Sequence, residues 1–141
     1  MSDRILVGYD GSPPANSALE FTFEKFPDAE VTALHVINIP EGYWSAFEGP
    51  EIRPPVTEKA REHGEEILET AREIAAEHDR ELDTDIVTGQ PDTQIAERAE
   101  DEGFDLTVVG SHGREGISRI LLGSVAENVV QRSPTPVIVV R

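Results

Sequence analysis

Residues 106–130 read LTVVGSHGREGISRILLGSVAENVV, and this stretch decides the fold that the sequence predicts. Its opening apolar run is typical of a strand that is covered on both faces of a sheet. A glycine-rich segment follows, from Gly110 to Gly123. Ser124 and Glu127 then have the spacing of a capping box, which predicts that Ser124 caps a helix. A buried strand that leads through a glycine loop into a helix is a building unit of parallel α/β sheets.

Apolar runs and helical spacing alternate along the rest of the chain. Ser12, followed by Pro13, predicts a capped helix start after the first strand. The order β-α-β-α-β-α-β-α-β predicts parallel pairing with right-handed crossovers. The predicted fold is a single α/β domain, residues 1–141, with a doubly wound five-stranded parallel sheet in order 3-2-1-4-5 and helices on both faces. The predicted strands are 4–9, 31–37, 86–89, 106–109 and 137–140, and the predicted helices are 13–26, 57–78, 91–103 and 124–132.

One segment and three histidines stand apart from this pattern. Residues 38–56 carry repeated proline and glycine, which predicts a long loop. Loops of that length are uncommon in compact domains and tend to be functional. His35 lies in a predicted strand and is interpreted as a packing residue, whereas His63 and His78 lie on the Glu-rich helix and are predicted to face solvent.

Composition excludes several classes of function. The chain has 141 residues and no cysteine, so disulfides and thiolate metal sites are excluded. It has no apolar run of about 20 residues and no signal-peptide pattern at its start, so we expect a cytoplasmic protein. The net charge of −16 repels nucleic-acid phosphates and anionic membranes, so neither is expected as a partner.

The acidic surplus also suggests a high-salt environment. The chain has 28 acidic residues, and Lys25 and Lys59 are the only lysines among its 12 basic residues. Self-repulsion of this kind is screened at molar salt, where the Debye length is only about 3 Å. We therefore interpret the chain as halophilic, with an ordinary acidic protein as the alternative.

The sheet order locates the expected ligand site. In an open doubly wound sheet, ligands bind outside the carboxyl ends of the strands at the switch point, which here lies between strands one and four. Two segments with turn chemistry follow those strands, Tyr9–Ser12 and Gly110–Gly116. Glycines in the second segment allow consecutive N–H groups to form an anion nest. Across residues 110–124 the arginines and single glutamate give a formal charge of +1, which favours an anionic ligand.

The spacing Gly110-x2-Gly113-x9-Gly123-Ser124 resembles the ATP-binding motif of the universal stress protein family. The resemblance extends to ILVGYDGSPPANSALEF at 5–21, LHVI at 34–37, GQPDTQI at 89–95 and SPTPVIVV at 133–140. It implies an adenine nucleotide alpha hydrolase-like fold and binding of ATP in stress response. Segment 38–56 is the part least typical of the family.

The resemblance also implies roles for individual residues. Asp10 would contact the nucleoside and Val36 would lie against adenine. Gly110 and Gly113 would hold the ribose and phosphate region, and the phosphates would lie against the start of the last helix. The full candidate nucleotide-binding set is Asp10, Val36, Gly110, Ser111, His112, Gly113, Arg114, Gly123, Ser124 and Val125.

Hydrolysis and metal binding have weaker support in the sequence. There is no P-loop of the GxxxxGK[ST] form, and Asp10 is the one acid placed near the site, so binding with slow or absent turnover is expected. No histidine pair has metal-ligand spacing, so no metal site built by protein alone is predicted. Magnesium could accompany bound phosphates, because it keeps most of its water ligands.

Three alternatives share the same topology, and the sequence argues against the first two. A receiver domain would need an acidic cluster after strand one and an aspartate after strand three, where this chain has only Asp10 and Thr88-Gly89. A flavodoxin would need a hydroxyl-rich phosphate loop in place of DGSPPAN. A dimeric scaffold with no bound nucleotide stays open, because fold does not fix function.

The run Val137–Val140 is predicted to lie at a sheet edge and to pair with a second copy of the chain.

Overall fold

The computed structural model describes residues 3–38, 55–111 and 123–141, and of residues 55–57 the backbone only. Nine elements alternate along these ranges, as the sequence predicts. The strands are β1 (Arg4–Gly8), β2 (Glu30–Asn38), β3 (Asp83–Gly89), β4 (Leu106–Gly110) and β5 (Val137–Val140). The helices are α1 (Pro13–Lys25), α2 (Pro55–Glu77), α3 (Pro91–Asp101) and α4 (Ser124–Arg132).

All strands are parallel and lie in the order β3-β2-β1-β4-β5, so the predicted sheet order is confirmed. β1 has β2 on one side and β4 on the other, and the chain reverses its direction of winding there. The predicted switch point between strands one and four is therefore present.

Helices cover both faces of the sheet, because successive strand residues direct their side chains to opposite faces. On one face, Ile5 and Val7 pack with the apolar sides of α1 and α2. On the other, Leu6 and Leu34 pack with α3 and α4. Strands buried on both sides account for the continuous apolar runs of the sequence.

The predicted helix 57–78 is present as α2, and its boundaries differ slightly from the prediction. The helix starts at Pro55 and not at residue 57, since proline is favoured in a first helical turn. Because Asn38 belongs to β2 and Pro55 to α2, the predicted loop is shorter at both ends. The loop interior, 39–54, lies outside the described residues. Among residues 58–77 of α2, whose side chains are described, the buried ones are Gly64, Ile67, Leu68, Ala71, Ile74 and Ala75.

One histidine differs from its prediction. His78 is only partly exposed, since its ring lies 5.5 Å from that of Phe23 and its Nδ1 lies 2.9 Å from the carbonyl of Ile74. His63 is exposed as predicted. Among the described residues, no helix combines the length and the apolar character needed to cross a bilayer.

Candidate functional site

The turn after β1 is fixed by its own side chains. The Oδ1 atom of Asp10 accepts a hydrogen bond from the backbone N of Ser12 at 2.9 Å. Gly11 between them has a φ of 78°, a left-handed conformation that favours glycine. The hydroxyl of Ser12 then accepts from the N of Ala15 at 3.3 Å and caps α1, which confirms the predicted N-cap. Asp10 is thus held at the carboxyl end of β1 by a turn that its own carboxylate helps to form.

Tyr9, just before this turn, is anchored to the neighbouring strand β2. Its N donates to the carbonyl of Leu34 at 2.9 Å. Its carbonyl lies 2.9 Å from Nδ1 of His35, and because a carbonyl only accepts, that nitrogen donates. The His35 side chain is buried, with 8% of its surface exposed, which agrees with its interpretation as a packing residue.

The last residue of β4, Gly110, lies against the first turn of α1. A Cβ at this position would lie 2.8 Å from the C and Cβ atoms of Pro14 and 3.0 Å from the N of Ala15. The first turn of α1 fills that space, so the missing side chain serves helix packing.

Ser111 connects three parts of the site. It is buried, with 5% of its surface exposed, and its N donates to the carbonyl of Val140 at 2.7 Å. Its carbonyl accepts from the N of Gly123 at 2.6 Å. Ser111 and Gly123 are therefore joined to each other, and Ser111 lies beside the end of β5.

The start of α4 corrects the capping-box prediction. The carbonyl of Gly123 accepts from the N of Glu127 at 3.0 Å, so Gly123 is the N-cap and Ser124 is the first helical residue. Ser124 cannot cap its own helix from that position. Ser124 and Val125 are exposed instead, at the helix end where backbone N–H groups lack partners within the helix.

Of the other predicted site residues, the structure describes Val36 and leaves three outside the described ranges. Val36 lies near the end of β2 with 9% of its surface exposed, packed in the same cluster as Leu34 and Ile95. His112, Gly113 and Arg114 lie outside the described residues. The topology brings the turn at Asp10 and the pair Ser111 and Gly123 to the carboxyl ends of adjacent strands. Their roles toward a ligand stay predictions.

Two features of this region were missed by the sequence reasoning. One is the contact between His35 and Tyr9. A glycine inside a helix, Gly64, is the sequence feature that indicates a buried ring here, because a Cβ on Gly64 would lie 2.9 Å from Cδ2 of His35. The other is Asp92, a buried residue in the first turn of α3 whose Oδ2 lies 3.3 Å from Nε of Arg132. Within the described ranges, no group of three or more His, Asp or Glu side chains is arranged to hold a metal ion.

A concavity lies at the end of the sheet opposite to the Asp10 turn, where β2 and β3 begin. It has a volume of about 390 Å³ and is lined by Pro27–Val31 and Asp79–Asp83. Most of its charged residues are acidic, so it would repel a phosphate. The candidate anion site stays the one predicted at the ends of β1 and β4.

Known proteins resemble the chain over its whole length. The protein YxiE of Bacillus subtilis, a universal stress protein, is 34% identical over 148 residues, which covers 100% of both chains. The solved structure of the protein MJ0577, from Methanocaldococcus jannaschii, matches with a TM-score of 0.80 and 35% identity over 99% of this chain and 96% of that one. A universal stress protein solved in complex with cAMP matches with a TM-score of 0.66 and 25% identity over 99% of this chain and 96% of its own.

The family model described as the universal stress protein family matches residues 1–141. The five-stranded parallel sheet and its order agree with that match. The chain belongs to the universal stress protein family.

Proposed function

We propose that residues 1–141 form one universal stress protein domain that binds ATP, or a similar adenine nucleotide, and acts in stress response as a nucleotide-dependent switch or regulator. The observation that carries this proposal is the hydrogen bond from Gly123 to Ser111, which holds the start of α4 at the end of β4. β4 is the neighbour of β1, and β1 ends in the turn that contains Asp10. A nucleoside and its phosphates need such neighbouring groups. The cAMP complex of a relative supports the ligand class.

Electrostatics supports phosphate binding at the start of α4. Helix N-termini favour anions through their dipole and their N–H groups. Arg114 and Arg119 add positive charge to this segment of a chain whose net charge is −16. We assign the phosphates to Gly123, Ser124 and Val125, with Ser111, His112 and Arg114 beside them.

The other assignments follow the strand ends. Asp10 contacts the nucleoside, Val36 lies against adenine, and Gly110 and Gly113 border the ribose. Gly110 would border the ribose because it ends β4. The absence of its side chain is explained by α1, which fills that space.

A direct test combines native mass spectrometry with calorimetry. Nucleotide that co-purifies with the native protein identifies the ligand. The double variant Gly113→Val, Gly123→Val is expected to abolish ATP binding and still fold, because Gly123 has a φ of −64°, which valine can adopt. Equal ATP affinity in this variant and the unmodified protein, with unchanged thermal melting, would refute the site and favour a dimeric scaffold with no nucleotide.

We further propose that hydrolysis is slow or absent and that magnesium, when present, is carried by the phosphates. Fast phosphoryl transfer needs a positioned water, a base and charge clamps, and the sequence has no P-loop lysine. Steady-state turnover is expected far below the median enzyme rate of about 10 s⁻¹. A turnover near that rate would contradict the proposal.

We propose that the active form is a homodimer paired through β5. The carbonyls of Pro136 and Val140 accept from Thr107 and Ser111, on the β4 side. Alternate residues of a strand direct their backbone groups to opposite sides, so Val137 and Val139 direct theirs away from β4. β5 neighbours only β4 in the sheet, and an apolar edge of this kind is a template for pairing.

We propose that the protein works in a cytoplasm of high salt concentration. The absence of cysteine fits a reducing compartment. The charge of −16 on 141 residues fits a medium in which repulsion between carboxylates is screened.

A further inference from the structure

His35 belongs to β2, and its ring is confined beneath α2. Its ring is buried, and its Nδ1 lies 2.9 Å from the carbonyl oxygen of Tyr9. A Cβ on Gly64 would lie 2.9 Å from Cδ2 of the ring, so α2 runs directly over it. Glycine inside a helix costs about 1 kcal/mol relative to alanine, and contact with the ring explains why glycine is used there.

The hydrogen bond fixes more than the ring. The carbonyl of Tyr9 belongs to the same planar peptide as the N–H of Asp10, and in a trans peptide the two groups point in opposite directions. No cis peptide bond occurs among the described residues. Whatever sets the direction of the Tyr9 carbonyl therefore also sets the direction of the Asp10 N–H.

That direction can be read from the alternation of β2. His35 lies on the same face as Ala33, which packs with α1 and α2. The Tyr9 carbonyl is drawn toward that face, so the Asp10 N–H is directed away from it. The opposite face is covered by α3 and α4, and Gly123, the N-cap of α4, donates a hydrogen bond to Ser111 at the end of β4.

We propose that His35 is a positioning residue for the nucleotide site, which orients the peptide between Tyr9 and Asp10 through its Nδ1–H. This inference rests on the proposed function. Its ligand class is the adenine nucleotide assigned to the site. Two further contacts of Tyr9, from its N to the carbonyl of Leu34 and from its hydroxyl to Asn16, do not involve the imidazole. A substitution of His35 leaves the groups of both contacts in place.

Two substitutions separate positioning from packing. His35→Phe keeps a ring of similar size under Gly64 but has no donor for the Tyr9 carbonyl. His35→Asn offers an amide N–H near the position of Nδ1 but leaves a cavity where the ring was. A packing role predicts that Phe is the milder change, whereas a positioning role predicts that Asn is.

The experiment measures ATP affinity by calorimetry and thermal stability for the unmodified protein and both variants. We expect His35→Phe to weaken ATP binding about tenfold, the size of one lost hydrogen bond to a buried group. We expect His35→Asn to bind within about threefold of the unmodified protein although it melts at a lower temperature. An affinity that follows the melting temperature, or unchanged affinity in His35→Phe, would overturn the proposal.

Nuclear magnetic resonance gives a second readout that needs no ligand. The ¹⁵N shifts of His35 should show the proton on Nδ1, and the Asp10 amide resonance should move in His35→Phe and return in His35→Asn. A proton on Nε2 alone would overturn the proposal even if a variant fails to fold. If the unmodified protein binds no adenine nucleotide, the proposed function itself fails and this inference fails with it.

Discussion

At the scale of single residues, Gly110 and Gly8 are matched sites that differ in what surrounds them. A Cβ on Gly110 would meet the backbone of Pro14 and Ala15 at 2.8 and 3.0 Å. A Cβ on Gly8 would meet Cδ1 of Ile95 at 2.7 Å, the end of a flexible side chain. Backbone cannot give way as a side chain can.

We therefore predict that Gly110→Ala lowers the free energy of unfolding by about 2–3 kcal/mol and Gly8→Ala by about 1 kcal/mol or less. Urea denaturation monitored by circular dichroism measures both. A larger loss in Gly8→Ala would contradict the assignment of Gly110 to helix packing.

Ser12 and Ser124 form a second matched pair. Ser12 caps α1 through its hydroxyl, whereas Ser124 follows the N-cap of α4. Ser12→Ala should cost about 1 kcal/mol of stability, and Ser124→Ala no more than about 0.5 kcal/mol. Under the proposed function, Ser124→Ala should also weaken ATP binding, which calorimetry would detect. Equal stability losses would contradict the cap assignments.

These residues show what local sequence can predict. The cap at Ser12 depends only on its neighbours Pro13 and Ala15, so the sequence predicted it correctly. The capping box at Ser124 was wrong because the carbonyl of Ser111 holds Gly123 at the helix start. The reason for Gly110 likewise lies in α1, which is distant in sequence and invisible to local rules.

At the scale of elements, the two edges of the sheet are protected differently. On β3, Asp85 pairs with Arg98 at 2.7 Å and Thr84 accepts from Arg72 at 2.9 Å. The hydrogen bond from Arg72 to Glu65 raises the pKa of that guanidinium, burial opposes the rise, and a bond to Glu69 supports it. Charges at an edge discourage pairing with another chain. The four residues of β5 carry none.

This contrast predicts the effect of proline at the apolar edge. Val139 directs its N–H away from β4, so Val139→Pro should remove a donor of the dimer and leave the β4–β5 ladder intact. Sedimentation at micromolar concentration in molar salt should change from dimer to monomer, while ATP binding persists. Val139→Thr keeps the N–H and should stay dimeric. A monomeric unmodified protein would refute the dimer.

The order of elements was predictable because most strands contain a run of apolar residues and the helices between them show helical spacing of apolar residues. Element ends were less predictable. The start of α2 at Pro55 was hidden in a proline-rich segment, since proline both ends loops and opens helices. The burial of His78 was missed because its stacking partner Phe23 belongs to α1.

At the scale of the whole molecule, charge is the dominant feature. The ion pairs of the described residues are mostly exposed, and several join residues on one helix, such as Arg72 with Glu69. Exposed pairs contribute little to stability, typically below about 1 kcal/mol each. They cannot offset a net charge of −16, so mutual repulsion of carboxylates should destabilise the fold at low salt.

Stability should therefore rise between low and molar KCl, as the Debye length falls from about 30 Å at 0.01 M to about 3 Å at 1 M. Each kcal/mol gained would raise the melting temperature by about 3–5 °C in a domain of this size.

Salt also strengthens apolar burial, and a charge variant separates that effect from screening. Glu62, Glu73 and Glu77 are exposed on α2 and belong to none of the ion pairs of the described residues. Changing all three to glutamine should raise the melting temperature at low salt and flatten its dependence on KCl. A melting temperature of the unmodified protein that is constant or falls toward molar KCl would refute the halophilic interpretation.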